Sequence, residues 1–176
     1  MTFKKTFLPA VILALICLVC AAALAFTNRL TEDRIAEVAH KRYLSSVATV
    51  LPEGALLEEI SLDGVDGFIG KREDGSILGY AVKTAAKGYG GTVTCVVGFD
   101  AEGRVIGVSV DAPDETPGLG NNVTKPEFTE QFIGAEHAPV LGEDFDAVTS
   151  ATYSSRAVEA AVADAFSALQ KILKGE

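Results

Sequence analysis

Residues Phe7 to Phe26, FLPAVILALICLVCAAALAF, run for twenty positions without a charge. At about 1.5 Å per residue a helix over them is about 30 Å long, the thickness of one hydrocarbon core. Such a stretch does not rest in water, so the chain is either anchored in a bilayer or led through one. Lys4 and Lys5 precede it, and no acidic residue occurs before Glu32. Basic flanks stay in the cytoplasm, so the N-terminus is expected inside and the remainder across the membrane. A cleaved signal peptide is the rival, because Ala23-Leu24-Ala25 fits a small-residue cleavage site. Signal cores run to about 7–15 residues, and length favours an uncleaved anchor. A lipoprotein reading through Cys20 meets bulky Val19 where a small residue is wanted. Cys17 and Cys20 then read as apolar filler.

Charge narrows the partners. The 176 residues carry a formal −9, and beyond Lys4 and Lys5 the balance is 13 basic against 24 acidic residues. That excludes nucleic acid, whose phosphates need a basic face, and adhesion to anionic lipid by charge. Three cysteines give neither a disulfide framework nor zinc spacing. Cys95 stands alone in a Val-rich stretch and reads as core packing. His40 and His137 are too isolated for a histidine metal site, and no metal is expected. The acidic clusters Asp111/Asp114/Glu115 and Glu143/Asp144/Asp146 miss the EF-hand spacing.

After the apolar run, Thr27 to Val50 has helical periodicity through Leu30, Ile35, Val38, Tyr43 and Val47. Thr31 is a candidate cap, with Glu32 and Asp33 in the first turn, and Leu51-Pro52-Glu53-Gly54 ends the stretch. Strands are predicted on either side of two turns. Gly67–Gly70 and Ser76–Ala85 flank Glu73-Asp74-Gly75, and Thr92–Phe99 and Arg104–Val110 flank Asp100–Gly103. Val158, Val162, Ala165, Phe166, Leu169, Ile172 and Leu173 mark one apolar face of a last helix. Ser154 or Ser155 is the expected cap, and Lys171, Lys174 and Gly175 suit its end. The expected fold class is α+β: residues 1–6 cytoplasmic, 7–26 a transmembrane anchor, 27–51 a helical stalk, and 52–176 one mostly antiparallel sheet packed with helices.

Three stretches interrupt this pattern. Thr149, Ser150, Thr152, Ser154 and Ser155 crowd the start of the last helix, where free N–H groups and the dipole suit a phosphate; a plain hydroxyl cap explains them equally. Thr116-Pro117-Gly118-Leu119-Gly120 permits a tight turn and close backbone approach, on which a planar ring could lie, or is simply a turn. Lys87-Gly88-Tyr89-Gly90-Gly91 also permits close approach, with Tyr89 either stacking or covering the core. Neither a Walker loop, a dinucleotide-binding glycine pattern nor a nucleophile elbow is present, and His137 has no nucleophile motif to serve.

Taken in order behind one anchor, KGYGG (Lys87–Gly91), ETPGLG (Glu115–Gly120) and TSATYS (Thr149–Ser154) resemble the FMN-binding G subunit of the Rnf electron-transport complex. The C subunit of the sodium-translocating NADH:quinone reductase shares the general plan. The resemblance covers nearly the whole chain. It implies FMN joined covalently, through its phosphate, to the last Thr of a motif close to D-x-x-S/T-G-A-T. Asp146, Thr149, Ala151 and Thr152 stand at its positions, so Thr152 is the implied attachment residue. Ser150 stands where the family usually has Gly, at a cost of about 1 kcal/mol if that position needs φ > 0. Glu115, Thr116, Gly118 and Leu119 would lie against the flavin ring, with Tyr89, Gly90 and Gly91 in the same cleft and Thr149, Ser150 and Ala151 beside the phosphate.

The function so implied is electron carriage through FMN within an ion-translocating ferredoxin:NAD oxidoreductase of the cell membrane. The domain would lie on the extracytoplasmic side, and the subunit would complete no reaction by itself. Implied partners are other membrane subunits, lipid around the anchor, and a flavin transferase that uses FAD and Mg²⁺. An exported binding or scaffold module without redox work, and an FMN carrier for another extracytoplasmic reductase, are the alternatives.

Overall fold

The computed structural model describes residues 3–62 and 65–174. Helix α1 runs unbroken from Phe3 to Val50, with Pro9 inside it. No glycine or proline occurs between Thr27 and Val50, so the apolar-to-charged boundary at Phe26 leaves the backbone helical. Thr31 therefore caps nothing: its hydroxyl donates back to the Thr27 carbonyl at 3.0 Å. Arg34 and Lys41 both pair with Glu37, at 2.8 and 2.7 Å, the spacing that supports a solvated helix. By internal packing the chain divides into two units, Met1–Arg42 and Tyr43–Glu176. In the first, the large side chains from Phe7 to Phe26 are exposed, and the helix is long and apolar enough to cross a membrane.

The second unit is a five-stranded sheet with helices. Strands β1 (Leu56–Leu62), β2 (Val65–Lys71), β3 (Ile77–Lys87), β4 (Thr92–Phe99) and β5 (Val105–Asp111) follow one another in space as in sequence. Every pairing is antiparallel. The two expected hairpins are β2–β3 and β4–β5. Gly75 at φ +84° and Gly103 at φ +87° take left-handed turn positions closed to most residues. Strand β1, which is not among the expected strands, forms one edge.

The pleat sorts the side chains. Tyr80, Val82, Val93, Cys95, Val97 and Phe99 face the main core, while Ala81, Val96 and Phe68 pack on the opposite face with Val47, Val50 and Leu51. On the first face lies α3 (Thr152–Lys174), which packs across β3 and β4. Ala157, Val158, Ala161, Val162, Ala165, Phe166 and Leu169 are buried there, and Phe166 meets Phe99 edge-on at 5.0 Å. Leu173, expected on this face, is exposed, while Ile172 beside it packs against the core. Gly175 lies outside the described residues. Burial pushes the Cys95 thiol up to about 12, which fits its role as packing.

Between β5 and α3 the chain makes short helical turns at Gly120–Thr124, α2 (Pro126–Thr129) and Glu130–Phe132. Phe128, Phe132 and Phe145 cluster there, with ring centroids 4.6 to 5.9 Å apart. The cluster closes the core beside the start of α3.

Candidate functional site

The site is built around the N-terminus of α3. The first bond from helix amide to preceding carbonyl is Ser155 N–H to Ala151 C=O at 3.0 Å. The amides of Thr152, Tyr153 and Ser154 therefore precede the helical ladder. Ala151 offers them no side-chain oxygen. Ser154 and Ser155, expected as caps, instead lie buried inside the first turn. The Ser155 hydroxyl donates to the Ala151 carbonyl and accepts from Val148 N–H, both at 3.0 Å. It thus ties the entering loop to the helix. Ser154 points elsewhere, to Glu115. The helix begins three or four residues earlier than a Ser154 or Ser155 cap implies, and this turns both serines inward.

Ser150, two residues before Thr152, has φ +62°, the one non-glycine in left-handed space among the described residues. The condition attached to Ser at this position is met by the backbone. Thr152 itself is exposed at the first helical position.

Glu115 is a carboxylate only 3% exposed. It accepts from the Ser154 hydroxyl at 2.6 Å and from Gly90 N–H at 3.0 Å. Burial pushes its carboxyl up, but Ser154 and the N–H groups of Gly90, Tyr89 and Gly91 outweigh that and hold it below the usual carboxylate range. The glycines around it are there for close approach. A Cβ on Gly88 or Gly120 would overlap the Glu115 carboxylate, and one on Gly90 would overlap the Asp114 carbonyl oxygen. Glu115 thereby joins the glycine loop, the turn after β5 and the first turn of α3.

Those three elements enclose an open cleft of about 350 Å³, lined by Tyr89, Glu115, Thr116, Leu119, Gly120 and residues 150–154. Seven of the residues singled out in the sequence meet there: Tyr89, Glu115, Thr116, Leu119, Ser150, Ala151 and Thr152. Four do not line it. Gly90 and Gly91 pack against Glu115 and Asp114. Gly118 supplies the φ +76° bend of the turn. Thr149 lines a neighbouring cavity with Asn122, Lys125, Gln131 and Asp146.

Two further lining residues, Gly120 and Ser154, fall in stretches the sequence pointed to, the Thr116–Gly120 turn and the hydroxyls at the helix start, whereas Tyr153 was missed. Tyr153 matters most. It is 73% exposed, Tyr89 is 74% exposed, and their rings lie 6.3 Å apart, tilted by 47°. With exposed Leu119 they give the cleft an apolar rim. Its lining includes Thr152, Tyr153 and Ser154, whose amides precede the helical ladder. A planar aromatic ring suits the tyrosines and a phosphate suits the helix start, and Thr152 belongs to the same lining.

Residues 88–167 match the family model for the FMN-binding domain, and residues 1–50 that for the RnfG N-terminal region. The chain is similar to the G subunit of the Na⁺-translocating ferredoxin:NAD⁺ oxidoreductase complex of Acetobacterium woodii, at 30% identity over 98% of this chain and 95% of that one. It is 31% identical to the G subunit of the ion-translocating oxidoreductase complex of Haemophilus influenzae strain PittEE, covering 89% of this chain and 86% of that one. The crystal structure of the C subunit of the Na⁺-translocating NADH-quinone reductase of Parabacteroides distasonis matches 66% of this chain and 74% of that one, at 21% identity and a TM-score of 0.49.

Proposed function

Because the chain belongs to the G-subunit family of Rnf-type ion-translocating oxidoreductases, we propose that it is the membrane-anchored, FMN-carrying subunit of such a complex. Residues 7–26 are its transmembrane span, 27–51 its stalk and 52–176 its flavin domain, held on the extracytoplasmic side. Its partners are the other membrane subunits. When bound, FMN supplies the electron chemistry, accepting and releasing electrons one at a time.

The chain's own residues bind and orient. Thr152 is the attachment residue: its hydroxyl oxygen displaces AMP from FAD under a separate Mg²⁺-dependent transferase. The oxygen forms the bond to the flavin-side phosphorus, and AMP departs with the anhydride oxygen and the proton. The amides of Thr152, Tyr153 and Ser154 would hold the phosphate, assisted by the helix dipole. Tyr89, Tyr153 and Leu119 would hold the ring, with the turn Thr116–Gly120 beside it. Asp146 and Thr149 belong to the motif that the transferase reads and lie outside the cleft.

The observation that carries this reading is the meeting of an exposed Thr152, an uncapped helix start and an aromatic rim in one cleft. Intact mass of the chain from its own membranes, taken under denaturing conditions, tests it. The expected gain is about 438 Da, one FMN less water, on the peptide containing Thr152. Thr152→Ala abolishes the gain while leaving stability nearly unchanged, because the hydroxyl is no cap and Ala is a strong helix former. An unmodified wild-type chain, with the transferase present, points to a binding module without redox work.

A further inference from the structure

The attachment chemistry leaves one group in the wall of the cleft without a task, the Glu115 carboxylate. It is buried and surrounded by donors: the Ser154 hydroxyl and Gly90 N–H bond to it directly. Gly88 and Gly120 leave room for its two oxygens. A neutral amide of the same shape could make both contacts, accepting from Gly90 N–H and donating to the Ser154 oxygen, so bracing the glycine loop, the turn after β5 and the first turn of α3 does not need a charge. A charge kept in poorly screened surroundings acts on whatever shares the cleft.

We infer that Glu115 is a fixed negative charge that lowers the reduction potential of the flavin carried in this cleft, with Ser154 as the positioning residue that keeps its carboxylate turned into the wall. This rests on the FMN reading above. An isoalloxazine that takes up two electrons and one proton gains one net negative charge, whereas the oxidised ring is neutral. The like charge of Glu115 therefore disfavours the reduced ring and leaves the oxidised one unaffected. A neighbouring like charge moves a protonation equilibrium by about tenfold or more. The same factor on this two-electron equilibrium corresponds to about 30 mV.

The test is a spectroelectrochemical titration at pH 8 of the full-length chain, with its covalent flavin first confirmed by mass. In Glu115→Gln the equilibrium shifts toward the reduced flavin by about tenfold. Glu115→Asp, which keeps the charge, stays within about twofold of wild type on the same scale. A Glu115→Gln midpoint equal to wild type overturns the inference. So does a Glu115→Asp shift as large as that of Glu115→Gln, which would mark a packing effect.

Should Glu115→Gln fail to fold, Ser154→Ala decides. It leaves the anion and removes the hydroxyl dipole that partly offsets it, so the flavin becomes harder to reduce. An unchanged or easier reduction in that variant overturns the inference. A wild-type chain without flavin removes the reading beneath it, an outcome seen in the mass before any titration begins.

Discussion

Two residues in the cleft, Ser150 and Glu115, carry strain and charge that the fold makes definite. Ser150 holds φ +62°, where a Cβ costs about 1 kcal/mol relative to glycine. Ser150→Gly is expected to raise unfolding stability by about 1 kcal/mol and the thermal midpoint by about 4 °C, as read from melting of the detergent-solubilised chain. Glu115 has a folded-state carboxyl below its ordinary value. Its stabilisation is thus fully present above the unfolded pKa of about 4.3 and is lost as pH falls through that value toward the folded one. Urea midpoints of wild type and Glu115→Gln are expected to differ at pH 7 and converge as the pH falls below about 4. A gap independent of pH would mean that the charge contributes nothing. Thr152 and Ser150 were legible because their motif is contiguous. Tyr153 and Ser154 were not, because the face a residue takes in the first turn depends on where the helix begins. A start placed at Ser154 or Ser155 makes a cap of a residue that in fact seats a buried carboxylate, and it leaves Tyr153 outside the helix altogether.

At the scale of elements, local chemistry was the readable part. The β4–β5 turn is closed by the Asp100 carboxylate, which accepts from the N–H groups of Glu102 and Arg104 at 3.0 and 2.8 Å, all within five residues. The β2–β3 turn is closed in the same way by Asp74 and Ser76. Strand β1 has turn-type residues at both ends, Pro52-Glu53-Gly54 before it and Asp63-Gly64 after it, but its sequence LLEEISL does not alternate, Leu56 and Leu57 stay exposed, and it is held by its ladder to β2. The glycine loop was legible as a place of close approach, but not what approaches. It folds onto Asp114 and Glu115 from another part of the chain, and that is a tertiary fact. A comparison of substitutions separates the two uses of glycine. Gly90→Ala drives a Cβ into the Asp114 carbonyl oxygen, a backbone atom that cannot rotate away, and is expected to cost about 2–3 kcal/mol. Gly118→Ala meets nothing within 4 Å, so only its φ +76° is strained and the cost is about 1 kcal/mol. Chemical denaturation of the two variants checks the order. Equal losses would mean that the loop packs less closely than its contacts imply.

For the whole molecule the open matter is which side of the membrane holds residues 43–176, and the charges near the span make that a close contest. Lys4 and Lys5 stand just before the apolar run. Arg29 and Arg34 stand just after it, around Glu32 and Asp33. Acidic residues carry little weight in orienting a span, and Lys41 and Arg42 lie farther along the helix, so Lys4 and Lys5, the basic pair closest to the apolar run, carry the expectation of an internal N-terminus. A long C-terminal domain crosses largely irrespective of its own charge, so the acidic character of the rest does not oppose export. Protease added to intact spheroplasts is expected to digest the sheet domain, and protease added to inverted vesicles to spare it. Lys4→Glu combined with Lys5→Glu removes this basic pair and leaves the two arginines as the nearest basic side chains. A protected fraction should then appear in spheroplasts, of the order of half the chains if the two orientations become comparable. A wild-type domain protected in spheroplasts and cut in inverted vesicles would reverse the proposed side. The flavin would then face the cytoplasm, and Thr152 would have to be modified there.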